Sequence, residues 1–263
     1  MVLQPPSPPP LRLRAGAFPA RGGKSLVDMV REHGFASARL GSPLPVRQLL
    51  RFGSMLGTPQ PETDPAVLPF TEEQVVLNLC SVRNRTEDPA MQPFARDALA
   101  LHSEGSGRGI AQQPRYIVLM CRAPGGAAAA LTVLVSMAEV ASRLDREEKD
   151  LLRAIAYRAG TPPPVLRYED GRPVFSFRDF MGQRLLWRYT PGPHHAPEPE
   201  PEPERVNAVL RRLLAAMYTT RAAGVRWEAG LLIVVDNRRF FHGRTAAPAS
   251  GVGLRHLQRL RIV

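Results

Sequence analysis

The stretch EAGLLIVVDNRRFFHGRTA, residues 228–246, decides the fold. Leu231 to Val235 form a run of five branched aliphatics, the length and composition of a strand buried on both faces. Asp236 and Asn237 follow, two residue types that satisfy turn backbone groups and tolerate a tight bend. The chain then returns through Phe240 and Phe241 to His242. A buried strand, a polar turn and a return strand aim His242 at a fixed place, and Asp236 and Asn237 are expected to be structural, doing that aiming without touching substrate.

Working outward, further strands rich in branched aliphatics are expected in EQVVLNLCSV (73–82), RYIVLMCRA (115–123), ALTVLVS (130–136) and LRHLQRLRIV (254–263). Helices are expected in SLVDMVREHG with Ser25 as N-cap and Gly34 as stop, and in PVRQLLRFGSMLG with Pro45 in its first turn. Two longer helical patterns are SMAEVASRLDREEKDLLRAIAYRAG (136–160) and RVNAVLRRLLAAMYTTRAAG (205–224). In the second, Val206, Val209, Leu210, Leu213, Leu214 and Met217 recur at helical spacing and Gly224 ends the run. Strands on both sides of helical insertions do not alternate as in a doubly wound sheet. They fit a mixed α/β chain with a jelly-roll (double-stranded β-helix) core, flanking helices and loop insertions.

Two segments stand outside that pattern. Residues 1–24 hold too much Pro and Gly to pack regularly and should be extended or frayed, leaving 25–263 as a single domain. The tract PGPHHAPEPEPEPE (191–204) should be a mobile or extended loop. Its His194 and His195 lack a rigid frame and a third ligand, which argues against a metal site there.

At 263 residues, 44% apolar and 22% charged, the chain can bury a full core. No apolar stretch reaches the roughly 18 to 20 residues that span a bilayer, and no signal-peptide pattern opens the chain, so a cytoplasmic protein with no membrane partner is expected. Cys80 and Cys121 each sit inside apolar runs, as buried thiols rather than a disulfide or a zinc cluster. The net charge of +11 raises nucleic acid as a partner, but its basic residues are nearly all Arg, dispersed, and without interleaved aromatics. A solvated surface with an allowance for an acidic protein partner accounts for it better.

Chemistry enters at LHSEGS (101–106). If the backbone is extended there, His102 and Glu104 leave the same face and can share one metal. An isolated H-x-E is common by chance. Here it is followed far downstream by D-N-R-x-x-x-H-G-R-T (236–245) and by R-H-L-x-R (255–259), and, between them, by PRYIVLMCRAPGG and TVLVS. This ordered set resembles the TauD/TfdA, clavaminate synthase-like family of 2-oxoglutarate oxygenases over roughly residues 68 to 263.

The resemblance implies that His102, Glu104 and His242 hold Fe(II), and that Arg255 meets the distal carboxylate of 2-oxoglutarate. A guanidinium fork suits that bidentate task. Arg259, four residues on, adds positive potential. Thr132 resembles a family Thr that helps hold the co-substrate, although the spacing from Gly125-Gly126 is longer than usual. Arg244 belongs to the motif without a derivable role. Two imidazoles and one carboxylate leave metal positions open for co-substrate and O2. The implied reaction couples decarboxylation of 2-oxoglutarate to attack on an unactivated C–H bond. Hydroxylation is its default outcome, with desaturation, cyclisation or rearrangement as alternatives. Glu104 argues against halogenation, which in related enzymes needs a small residue there. Implied substrates are amino acids, free or on an acidic carrier protein, in a biosynthetic pathway. A nucleic-acid-binding or demodifying protein and a non-catalytic jelly roll are the rival readings. Arg83, Arg85, Arg122, Trp187 and Arg188 flank strand ends without pointing to a substrate.

Overall fold

The computed structural model describes residues 3–80, 86, 88, 91–126, 130–179, 186–190, 200–247 and 254–263. Arg83, Arg85, His194, His195 and residues 191–199 of the Pro/Glu tract lie outside the described residues.

Two sheets form the core. The larger one orders its strands as Leu11–Arg12, Phe35–Arg39, Leu231–Asp236, Tyr116–Ala123, His256–Ile262, Val76–Cys80 and Thr71–Glu72. The smaller one runs Leu3–Gln4, Ala222–Val225, Thr132–Ser136, Phe240–Arg244 and Leu99–His102. The turn between Asp236 and Phe240 therefore carries the chain from one sheet into the other, and the jelly-roll expectation holds.

Alternation sorts the strand side chains into layers. Ile117, Leu119, Ile233, Val235 and Leu257 pack between the sheets against Leu134 and Val225. Val118, Met120, Leu232, Val234, Leu260 and Ile262 face outward beneath the helices Gly23–His33 and Val46–Leu56. The outer face of the small sheet, with Val133, Val135 and Phe241, is covered by Leu152, Leu210, Leu213 and Met217 from the helices Arg146–Ala154 and Pro203–Thr219. Because helices cover the outer faces of both sheets, the central strands are apolar on both sides. That is why Leu231–Asp236 is buried throughout and reads as a continuous run in sequence.

The local differences from expectation have local causes. The first helix begins at Gly23 rather than at a Ser25 cap, entered through Gly22 in the left-handed region (φ 86°). The 136–160 pattern divides into helices Met137–Ser142 and Arg146–Ala154, because Asp145 opens the second with a reciprocal capping box to Glu148. Ile155–Tyr157 then continues as a strand against Trp187–Tyr189. Gly224 does not end a helix. The helix stops at Thr219, and Ala222–Val225 pairs with Thr132–Ser136. Its start lies inside the low-complexity tract, at Pro203, whose fixed φ suits a first helical turn. In the N-terminal segment Leu3–Gln4 and Leu11–Arg12 each add a short parallel edge strand, Ala15–Ala17 form a 3-10 turn, and Phe18 enters the outer core. Among the described residues no helix is long and apolar enough to cross a membrane. Both cysteines are free; Cys121 is buried, with its thiol pushed up to about 12 by burial, whereas Cys80 is only partly covered.

Candidate metal centre and its cavity

The strands Leu99–His102 and Phe240–Arg244 pair antiparallel with His102 directly opposite His242, and their rings lie 4.3 Å apart. The approach of these strands depends on Gly243, where a Cβ would meet the Leu99 carbonyl oxygen at 2.7 Å. Past the end of its strand the chain turns, and Glu104 swings back so that its Oε2 lies 3.7 Å from His102 Nε2 and 3.6 Å from His242 Nε2. One ligand atom from each residue falls within a 4.8 Å cluster. The expected three residues are thus together.

Asn237 fixes that turn. Its side-chain oxygen accepts from the Glu104 N–H at 2.7 Å, and its amide donates to the carbonyls of Glu104 (3.0 Å) and Pro114 (2.9 Å). Asp236 and Asn237 both act on backbone groups, but in different places. Asp236 caps the bend through Arg238 N–H, whereas Asn237 reaches the other half of the metal site.

The donor set suits Fe(II): two imidazole nitrogens and a carboxylate oxygen. Burial, with His102 adjacent, pushes His242 down to about 4, so it is a neutral ligand near neutral pH. Its Nδ1 is buried without a hydrogen-bond partner, while His102 Nδ1 lies 2.9 Å from the Ala100 carbonyl oxygen, leaving Nε2 free to bind metal. Burial opposes a charge on Glu104, but Arg259, both histidines and Arg261 outweigh it and hold the carboxyl well below its ordinary value. Oε1 takes the cations, with Arg259 Nη1 at 3.1 Å and Arg261 Nη1 at 3.6 Å, which leaves Oε2 to the histidine side.

A cavity of about 770 Å³ runs past this cluster. Its inner end lies between the sheets, lined by Leu77, Leu79, Ile117 and Leu119 together with Thr132 and Arg255. Arg255 is 6% exposed, yet its Nε has no partner, and its guanidinium makes no ion pair or hydrogen bond among the described residues. Burial draws it down to about 10, still cationic near neutrality. Thr132 Oγ1 accepts from Trp227 Nε1 at 3.2 Å. Arg244, for which the sequence offered no role, is 6% exposed and spends its guanidinium on the carbonyls of Gln92, Pro93 and Asp97.

The sequence reading missed Glu62 and Arg261. Arg261 Nη2 donates to Glu62 Oε2 at 2.5 Å, and both are buried behind Glu104. The period-two recurrence of Arg259 and Arg261 was a usable signal for the latter. Glu62, 199 residues away, carries none. Arg122, Trp187 and Arg188 do not line the cavity; Arg122 binds the Leu44 carbonyl instead.

No curated protein matches the chain in sequence. Among solved structures it is similar to PvcB from Pseudomonas aeruginosa (22% identity, TM-score 0.65, covering 95% of this chain and 82% of that one). It is likewise similar to an asparagine oxygenase in complex with Fe(II), 2S,3S-3-hydroxyasparagine and succinate (22%, TM-score 0.65, 94% and 81%). A third is the non-heme iron oxygenase OrfP in complex with Fe and alpha-ketoglutaric acid (16%, TM-score 0.63, 95% and 83%). These likenesses establish the shared fold. Residues 13–261 match the taurine catabolism dioxygenase TauD, TfdA family, and the chain belongs to that family of Fe(II)- and 2-oxoglutarate-dependent dioxygenases, with His102, Glu104 and His242 as its candidate iron site.

Proposed function

We propose that this dioxygenase hydroxylates a C–H bond of a free amino acid or amino-acid derivative, with Arg255 anchoring 2-oxoglutarate. One observation carries the anchor: Arg255 is a buried cation with its donors unspent among the described residues, lining the same cavity as the candidate iron ligands. A desolvated guanidinium without a partner is costly, and a carboxylate entering that cavity would satisfy it. Thr132, on the adjoining wall, supplies a hydroxyl for the same carboxylate. Arg259 holds Glu104 Oε1 and contributes positive potential to the iron side.

Fe(II) and 2-oxoglutarate, when bound, would activate O2 as the oxidant, two electrons coming from decarboxylation of 2-oxoglutarate to succinate and two from the substrate C–H bond, with one oxygen atom going to each product. The chain's own residues do the rest. His102 and His242 present their Nε2 atoms, Arg259 and Arg261 orient the Glu104 carboxylate, and Asn237 fixes the peptide that carries it. The apolar inner wall of Leu77, Leu79, Ile117 and Leu119 excludes water from the co-substrate end. The amino-acid class draws support from the products and ligands in the solved neighbours: hydroxyasparagine in one, L-Arg in another.

Two measurements test this reading. Under argon, adding 2-oxoglutarate to the Fe(II)-loaded protein should give a weak visible charge-transfer band, lost in His102→Ala and His242→Ala. Its persistence in both variants would overturn the site. In air, a panel of free amino acids should include one that releases succinate with a matching product gain of one oxygen. If nucleosides, terpenes, fatty acids or only carrier-loaded amino acids are turned over, the free amino-acid reading fails.

A further inference from the structure

The outer part of the cavity differs from the inner part in how its charges are spent. Among the described residues lining the whole cavity there are six arginines (Arg108, Arg178, Arg244, Arg255, Arg259 and Arg261) against four carboxylates. Two positive charges are left over. Fe(II) and the dianion 2-oxoglutarate cancel each other, so the surplus remains for whatever binds next.

Most of these guanidiniums are committed. Arg244 is tied to three carbonyls, Arg259 and Arg261 to Glu104 and Glu62, and Arg178 has partners of its own. Arg255 faces the co-substrate end. Arg108 is different. It lines the cavity and is half-buried, yet its guanidinium makes no hydrogen bond or ion pair among the described residues. It also lies close enough to Arg259 for its charge to be felt there.

The backbone beneath Arg108 is fixed although its side chain is not. Arg108 N–H donates to the Gly105 carbonyl at 2.8 Å, closing a turn in which Gly105 takes a left-handed φ of 73°. The Arg108 carbonyl accepts from Gln113 Nε2 at 2.9 Å, and the buried Gln113 is held in turn by Ser176 Oγ at 3.1 Å. Across the gap, Gly160 packs so closely that a Cβ there would meet the Gly107 carbonyl oxygen at 3.1 Å. A cation is thus presented from a rigid turn that starts at the iron ligand Glu104.

We propose that Arg108 is a specificity-determining residue that clamps an anionic group of the substrate, so that the enzyme selects amino acids of net negative charge over neutral and cationic ones. This rests on the amino-acid reading above and narrows it. A neutral zwitterion would leave the cavity's surplus charge in place, whereas a substrate with one additional carboxylate or similar anion reduces it and gives the unpaired guanidinium a charge-assisted partner.

The test is calorimetry on the full chain loaded with Fe(II) and 2-oxoglutarate under argon. The probes are L-aspartate, L-glutamate, their amides L-asparagine and L-glutamine, and N-acetyl-L-glutamate. Wild type should bind an acid at least roughly 10-fold more tightly than its amide. Arg108→Gln should weaken the acid by roughly 10- to 100-fold and erase the difference, while Arg108→Lys should retain most of it. The iron–co-substrate band of each variant reports that it is folded. Equal binding of acids and amides, a preference that survives Arg108→Gln, or no binding of any acidic probe would each overturn the clamp. If acids and amides bind equally well, the clamp fails while the amino-acid reading stands. If N-acetyl-L-glutamate binds like L-glutamate and Arg108→Gln abolishes both, the clamp stands and the free amino group is shown not to be recognised.

Discussion

Arg244 and Arg255 are equally buried, at 6% exposure each, and Arg244 feels the charge of Arg255, but their donors are spent differently. Arg244 donates to Gln92, Pro93 and Asp97 carbonyls and thereby pins the loop preceding the Leu99–His102 strand. Arg255 donates to nothing among the described residues and faces the cavity. Burial alone does not separate a structural arginine from a binding one. What separates them is whether the donors are already used, since an unspent buried cation is stable only as a site awaiting an anion.

The largest effect expected from this contrast is on stability. Arg244→Met should orphan the three carbonyls and cost about 3 kcal/mol in denaturant unfolding, whereas Arg255→Met should leave the midpoint unchanged or raised. Equal losses in the two variants would erase the distinction. Next in size, Arg255→Met should weaken 2-oxoglutarate by about 1.5–3 kcal/mol while Fe(II) affinity is kept, because the lost contact is a charge-assisted pair. Unaltered co-substrate binding would move the anchor to Arg259.

A smaller effect is expected behind the iron. Glu62→Gln removes the charge that engages Arg261 and, more distantly, Arg259, so Glu104 should be held less well and Fe(II) affinity should fall by roughly 10-fold. Iron binding indistinguishable from wild type would make the Glu62–Arg261 pair purely architectural. The smallest change is Thr132→Val, which takes the acceptor from Trp227 Nε1 and should cost about 1 kcal/mol of stability. A small co-substrate defect should accompany that loss; stability lost with co-substrate binding unchanged would place Thr132 with Arg244 rather than with Arg255 in the comparison.

The features legible in the sequence are those encoded by local pattern. Branched-aliphatic runs marked the central strands, and the ordered H-x-E, H-G-R and R-H-L-x-R elements marked the candidate iron ligands and Arg255. Hidden features depend on partners far apart in the chain. Asn237 reads locally as a turn former, and nothing around it announces a hydrogen bond 133 residues upstream to Glu104. Arg244 and Glu62 are silent for the same reason. The division of the 136–160 helix is a different kind of miss. Asp145 and Glu148 spell a capping box in the sequence, but helical periodicity running through Leu144 to Leu152 obscured it.

Gly243 sits between the two histidine-bearing strands, where a side chain has no room beside the Leu99 carbonyl. In the terms of coordination chemistry, the pair of strands is a chelating ligand and this glycine sets its bite. Any larger residue would part the strands and widen the span between His102 and His242, with every donor still present. Selectivity among divalent ions then resides partly in a residue that touches no metal, because an ion accepts or refuses a given bite according to its bond lengths and preferred angles. Widening that bite offers a route to altering the metal preference of the scaffold without replacing a single ligand.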